Sequence, residues 1–532
     1  MVFYPIVNFI TSFFFYFSLG SIFFLVIQEV INLTSVYFLL LGVPLISSLI
    51  IFFIPAYKKH MIQTVALWGS GIVLVGSMYL YIFYNQSSPK FQFTSEFPLW
   101  FPWQSSSSLS ILFGVDGISL FFIILTALLI FLCILSSLDS ISYRLKDYMI
   151  AFLVLESLLM GVFSVLDLLC FYILFEGTLI PMFIMILTWG SRERKIRAAA
   201  MLFLYTLVGS VFLLLSILYL YKLFSCGDYY SLHQYLGSDV LSVSEKRILW
   251  LAFFISFATK VPMIPFHLWL PEAHVEAPTA GSVILAGILL KLGTYGFIRY
   301  CIGLLPEASK YFSPAVFALA MIGVMYTSLT AIRQTDFKRI IAYTSIAHMN
   351  LAVGSIFTLN MTGLKGAMLL SIGHGFVSGA LFLIIGVVYD RFHTRLVKYY
   401  SGLALIMPLY ALIFVFFTMA NIGLPGTSNF IGEFLILCGL YLESTWVCVL
   451  GATGMVLGGA YSLWLLNRIV FGNLKRIGYD RSYDITYREF LVFFPLVGGT
   501  LLMGVYPVVF SDALDCSIVF LVDSMNLVLS CS

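Results

Sequence analysis

Ile248-Leu-Trp-Leu-Ala-Phe-Phe-Ile-Ser-Phe-Ala-Thr-Lys260-Val-Pro-Met-Ile-Pro-Phe266 is the stretch whose reading decides the fold. An almost unbroken apolar run carries Lys260 inside it, and Pro262 and Pro265 follow before the run ends. A helix apolar on every side is buried in a large core or crosses a membrane. An amine within such a span has to be held by protein or water, because lipid offers it no partner. The prolines remove backbone donors and interrupt the helix, which a membrane tolerates only where the freed carbonyls line a polar interior. The stretch therefore reads as a broken transmembrane helix built around a charge.

The rest of the chain extends this reading. Of 532 residues, 61% are hydrophobic and 10% charged, with a mean hydropathy of +1.02. That excludes a soluble domain, in which about a quarter of residues are charged. With 28 Lys and Arg against 25 Asp and Glu, no basic surface exists to hold nucleic acid. The eight cysteines form no CxxC or Cys/His cluster, and no phosphate-binding glycine motif appears, so cofactors are expected in other chains. No cation precedes Lys58, which argues against a basic signal or transit peptide.

At about 20 residues per crossing, fourteen spans are expected: 35–55, 61–84, 118–138, 147–166, 167–190, 198–221, 248–270, 280–304, 314–332, 340–359, 363–389, 403–443, 445–471 and 488–510. A further hydrophobic segment, 7–27, is expected as an additional membrane or interface helix. The seventh span is broken by its prolines and the twelfth by Gly423-Leu-Pro-Gly426. Loops after odd-numbered spans hold nineteen Lys and Arg residues and loops after even ones hold seven, while Lys260 and Lys291 lie inside spans. Positive loops stay on the matrix or cytoplasmic side, which orients the chain.

Ionisable residues within spans mark ion or proton paths. The candidates are Glu156, Glu176, Lys260, Lys291, His348, His374 and Glu433. Against this stands the reading of static buried ion pairs and packed histidines. Glu156 is assigned to hydrogen-bonded packing, and Asp116 to capping the third span. Gly454 and Gly458 are read as a close helix contact. Glu272, Glu276, His267 and His274 lack the HExxH spacing of a zinc site and are read as part of a proline turn, with no metal.

Five strings resemble one family closely: Phe175-Glu-Gly-Thr-Leu-Ile-Pro-Met182, the run from Lys260 to Ser282, Leu290-Lys-Leu-Gly-Thr-Tyr-Gly296, the run from Arg333 to Met349, and Leu424-Pro-Gly-Thr-Ser-Asn-Phe-Ile-Gly-Glu-Phe434. The family is the chain 4 type of antiporter-like subunit of mitochondrial NADH:ubiquinone oxidoreductase, respiratory complex I, itself related to Mrp cation/proton antiporters. The resemblance spans about residues 35–510 and leaves 1–34 outside. It implies an all-α polytopic membrane protein of fourteen helices, with two inverted five-helix repeats and broken helices seven and twelve. The implied division is an extension over 1–34, three helices over 35–138, a first repeat over 139–305, a second over 306–471, and a last helix and tail over 472–532.

By the same resemblance, Glu176 is the carboxylate that modulates Lys260, and Lys260 the amine that carries a proton. Lys291 is the central lysine, His348 and His374 a relay, and Glu433 the exit-side acid. Apart from the resemblance, His267 is read as an auxiliary to the relay in place of a metal ligand. The implied function is proton translocation coupled to NADH:ubiquinone oxidoreduction in the mitochondrial inner membrane. NADH, FMN, iron–sulfur clusters and ubiquinone belong to partner subunits. The implied partners are membrane lipid and the other membrane-arm chains, above all neighbouring antiporter-like ones. Two rivals stand beside this reading, a free-standing Mrp-type antiporter subunit and a non-catalytic membrane scaffold. The strings around Lys260 and His348 resemble the mitochondrial chain more than Mrp subunits, and the end of the chain soon after span fourteen argues against the lateral helix of a chain 5.

Overall fold

The computed structural model describes residues 34–98, 110–237, 240–473 and 483–531. The expected helix at 7–27 lies outside the described residues. The helices, in chain order, begin with α1 (Phe38–Phe53), α2 (Lys59–Phe83), α3 (Gly117–Ser140), α4 (Leu145–Ser164), α5 (Leu168–Trp189) and α6 (Lys195–Phe224). A short amphipathic α7 (Tyr229–Leu236) precedes α8 (Val243–Lys260), α9 (Trp269–Glu276) and α10 (Thr279–Ile302). Then come α11 (Pro306–Arg333), α12 (Phe337–Ile356), α13 (Met361–Phe392), α14 (Pro408–Ile422), α15 (Ser428–Glu443), α16 (Thr445–Val470), α17 (Tyr487–Val505) and α18 (Val508–Cys531).

Among the described residues, ten of these helices are long and apolar enough to cross a membrane, and α1 and α14 are shorter apolar helices. The expected spans outside the ten differ for physical reasons. Glu245, Lys246, Arg247 and Lys260 dilute α8, and Lys338, Arg339, His348 and Asn350 dilute α12. The twelfth span is divided into α14 and α15. Both expected breaks are present: α8 ends at Lys260 before the turn to α9, and α14 ends at Gly423, whose φ of +85° is left-handed.

The two breaks fall at matching places. In the stretch from α4 to α10 and in that from α11 to α16, the fourth of five spans is the broken one. α10 and α13 are enclosed along their length, whereas α6 exposes Leu204, Val208, Val211, Leu215 and Leu218 as an outward apolar stripe. Such a stripe suits lipid or a neighbouring subunit. Gly454 lies so close to Val324 of α11 that a Cβ would collide with it, whereas a Cβ on Gly458 would meet only Tyr461 of its own helix, so one glycine of the expected pair makes the close contact.

Two elements were not anticipated. β1 (Gln92–Pro98) and β2 (Ser110–Val115) form an antiparallel hairpin leading into α3, and the tail beyond span fourteen forms α18. α18 packs on α3, α11 and α13. Asp116 caps α3 as expected, accepting from Ser119 N while its own N–H donates to Ser119 Oγ, each at 3.0 Å. It also binds Arg299 Nη2 at 2.7 Å.

Candidate functional site

The site starts from backbone freed by broken helices. After Lys260, Trp269 Nε1 donates to the Thr259 carbonyl at 2.9 Å, and Asn350 Nδ2 lies 3.5 Å from that of Pro262. At the far end of α9, Lys338 Nζ donates to Ala277 O at 2.9 Å and Arg395 donates to Val275 O. These groups satisfy helix-end carbonyls that buried surroundings leave without water. Arg395 also lies 3.6 Å from Glu276. By sequence, Lys338 and Arg395 count among the nineteen cations of the loops after odd-numbered spans. Both are buried, and nothing in a helix-start lysine or a loop arginine distinguishes a buried cap from a solvated charge.

Lys260 is buried, its Nζ 4.3 Å from the centre of the Phe175 ring and without a hydrogen-bond partner among the described residues. Glu176 is half-buried at the end of the first half of α5. Glu176 and Lys260 form no ion pair within 4.0 Å. That separation leaves room for coupling without a locked bridge.

Gly293 brings α10 against this break. A Cβ there would meet Phe257 O at 3.0 Å and Val261 N at 3.2 Å, so glycine permits the close approach of α10 to the end of α8. Over Leu285–Leu289 the helix widens into a π segment, which redirects carbonyls from the usual ladder. Lys291 Nζ donates to Ala286 O at 2.5 Å and sits 2.8 Å from His374 Nδ1.

From there a polar row crosses the second half. The His374 and His348 rings are 5.7 Å apart between centres, and His348 Nδ1 lies 3.2 Å from Glu433 Oε1. The far nitrogens of both rings and Glu433 Oε2 have no hydrogen-bond partner among the described residues. Beside His348 and Glu433, a cavity of about 20 Å³ is bounded by Asn421, Gly458 and Tyr461. That is enough for one water molecule. Gly423 makes the space for Glu433, since a Cβ on it would strike Oε2.

Not every candidate joins this row. His267 is buried against Tyr326, ring centres 5.7 Å apart, with neither nitrogen bonded among the described residues. His274 stacks on Phe382 at 4.6 Å. Glu156 is fully buried, but the expected hydrogen bonds are absent: neither oxygen has a partner among the described residues. No group of three or more His, Cys, Asp or Glu residues suited to a metal occurs among the described residues.

Residues 164–458 match the family model described as NADH:quinone oxidoreductase/Mrp antiporter, transmembrane. The chain is 53% identical to NADH-ubiquinone oxidoreductase chain 4 of Prototheca wickerhamii over 91% of its own length and 94% of that protein's. Its fold superposes on a chain of respiratory complex I from Thermus thermophilus with a TM-score of 0.82, at 29% identity, covering 92% of this chain and 99% of that one. A chain of the Mrp complex from Dietzia sp. shares the fold at TM-score 0.81 and 18% identity, covering 94% and 99%.

Proposed function

Since this chain belongs to the NADH:quinone oxidoreductase/Mrp antiporter membrane family, we propose that it is the antiporter-like, chain 4 type subunit of respiratory complex I, moving protons through the membrane arm while NADH reduces ubiquinone. The reaction's cofactors, NADH, FMN, iron–sulfur clusters and ubiquinone, are held by partner subunits, and neighbouring antiporter-like chains flank this one in the mitochondrial inner membrane. The free-standing antiporter reading is weaker, because identity is 53% to the complex I chain and 18% to the Mrp chain of the same fold. The boundaries at 138, 305 and 471 rest on the matching positions of the two broken spans.

One observation carries the mechanism: Lys291, His374, His348 and Glu433 form a buried row across four helices, hydrogen-bond contacts at either end and 5.7 Å between the two ring centres in the middle. Each member can take and give a proton, and the row ends beside a water-sized space. In this reading Glu176 sets how tightly Lys260 holds its proton, the proton passes to Lys291, and the histidines relay it to Glu433, the exit acid. His267 is an auxiliary near the start. Each charge moved against 100 mV costs about 2.3 kcal/mol, supplied by quinone reduction elsewhere in the complex.

The test is Glu433→Gln beside Glu433→Asp in the assembled complex reconstituted into vesicles. Gln keeps the shape without the acid, so pumping and turnover should fall together, and Asp should fall less. Two assembled variants that both pump like the unaltered complex would make Glu433 structural.

A further inference from the structure

On the face opposite the cation-rich loops, the chain carries only Lys90, Lys222, Lys246, Arg247, Arg299, Lys310 and Lys365 as cations. Arg299 and Lys365 are engaged by Asp116 and Asp515, each at 2.7 Å. Three of the others, Lys246, Arg247 and Lys310, nevertheless line a single cleft of about 320 Å³ together with Glu307 and Tyr311. The concentration is unexpected on a face that otherwise sheds positive charge.

The cleft lies between the first turns of α8 and α11. Lys246 Nζ binds Glu307 Oε1 at 3.0 Å, which neutralises one cation. Arg247 lies over the Tyr311 ring, 3.7 Å from its centre, and neither Arg247 nor Lys310 pairs with a carboxylate among the described residues. Glu245, the other acid nearby, is held outside the lining by Ser242 and by Tyr219 at 2.8 Å. Both helices, 18 and 28 residues long, begin here, so their positive dipole ends add to the surplus.

Each helix then continues from the cleft as an outward apolar stripe. On α8, Ile248 and Leu251 are exposed, and on α11 exposed Tyr311, Ala315 and Ala318 lead to Ile322. Trp250 stacks on Phe312 between them at 4.6 Å, which fixes the two stripes side by side. A small inorganic anion would use the cations and ignore the stripes. An amphipathic anion uses both.

We propose that this cleft binds the phosphate headgroup of an anionic phospholipid, its acyl chains lying along α8 and α11. Arg247 and Lys310 take the phosphate, and Tyr311 holds the guanidinium flat so that its edge faces the ligand.

The assembled complex is labelled with phosphatidylglycerol carrying a photoreactive acyl chain, and in parallel with phosphatidylcholine carrying the same chain, and labelled peptides are mapped. A surface cation strengthens anionic-lipid binding by about fivefold, so label from phosphatidylglycerol should exceed that from phosphatidylcholine by at least this factor in peptides covering 243–258 and 306–322. Arg247→Gln with Lys310→Gln should remove the excess while quinone-linked turnover is retained, and added inorganic phosphate should leave it unchanged. Equal labelling by the two lipids, or an excess that survives the double substitution, overturns the proposal. Loss of label to inorganic phosphate identifies a free-anion site instead, and cross-links from these peptides to a neighbouring subunit identify a protein interface; either result also overturns it.

Discussion

Lys260 is a buried amine with no hydrogen-bonded carboxylate, and the proposed carrier role makes a different demand on it from that of a structural ion pair. An amine that only holds helices together needs its charge, whereas a carrier must also release its proton. Arginine supplies the first property and not the second, because its guanidinium stays protonated in proteins. Lys260→Ala and Lys260→Arg should therefore both lower pumping and quinone-linked turnover, by roughly tenfold or more on the usual effect of losing a positioned proton-transfer group. Normal pumping by assembled Lys260→Arg, with loss only in Lys260→Ala, would return the residue to a static role. Single charges in apolar runs such as Lys260, Lys291 and Glu433 were legible because burying them costs several kcal/mol and demands a reason. The 3.2 Å contact between His348 and Glu433 was not, since it arises from the packing of α12 against α15, which no local spacing encodes. Lys338 and Arg395 escaped for the opposite reason: their positions beside loops looked ordinary, and only the fold turns them inward.

The broken helices were visible in advance because proline and glycine interrupt the backbone ladder wherever they fall. What the sequence could not reveal is that the second break is shaped around an acid. Gly423 and Gly426 both adopt left-handed backbone, with φ of +85° and +90°, but only at Gly423 would a methyl group collide with Glu433, while at Gly426 it would meet nothing within 4 Å. Alanine at either position pays a similar backbone cost of about 1–2 kcal/mol. Gly423→Ala should thus depress pumping and turnover beyond what Gly426→Ala does, and the pair of variants separates backbone strain from displacement of the carboxylate. Equal effects of the two, measured in assembled complex, would remove Glu433 from the explanation. The β1–β2 hairpin was illegible by contrast, because the span-finding logic of long apolar runs passes over a short ribbon between two membrane helices.

Distant parts of the chain meet around one buried pair. Arg299 and Asp116 connect the end of α10 to the start of α3, with Tyr229 of α7 and Phe91 before the hairpin packed on the guanidinium, and Gly117 N–H donating to Ser517 Oγ of α18 at 3.1 Å. Segments 400 residues apart in sequence thereby meet at one corner of the molecule. Asp116 was legible as a cap but not as an anchor, since its partner lies 183 residues away. Removing one member leaves the other as an uncompensated buried charge, which costs roughly 3–5 kcal/mol, whereas removing both is far less harmful. Arg299→Met should therefore lower the thermal stability and yield of the assembled complex. Adding Asp116→Asn, which keeps the α3 cap while discharging the acid, should recover much of that loss. Because Arg299 lies about 12 Å along the helix from Lys291, protons pumped per electron in whatever assembles should be unchanged. A double variant no more stable than Arg299→Met alone would show that the arginine acts through its ring contacts, and an altered proton ratio would tie this corner to the proton row itself.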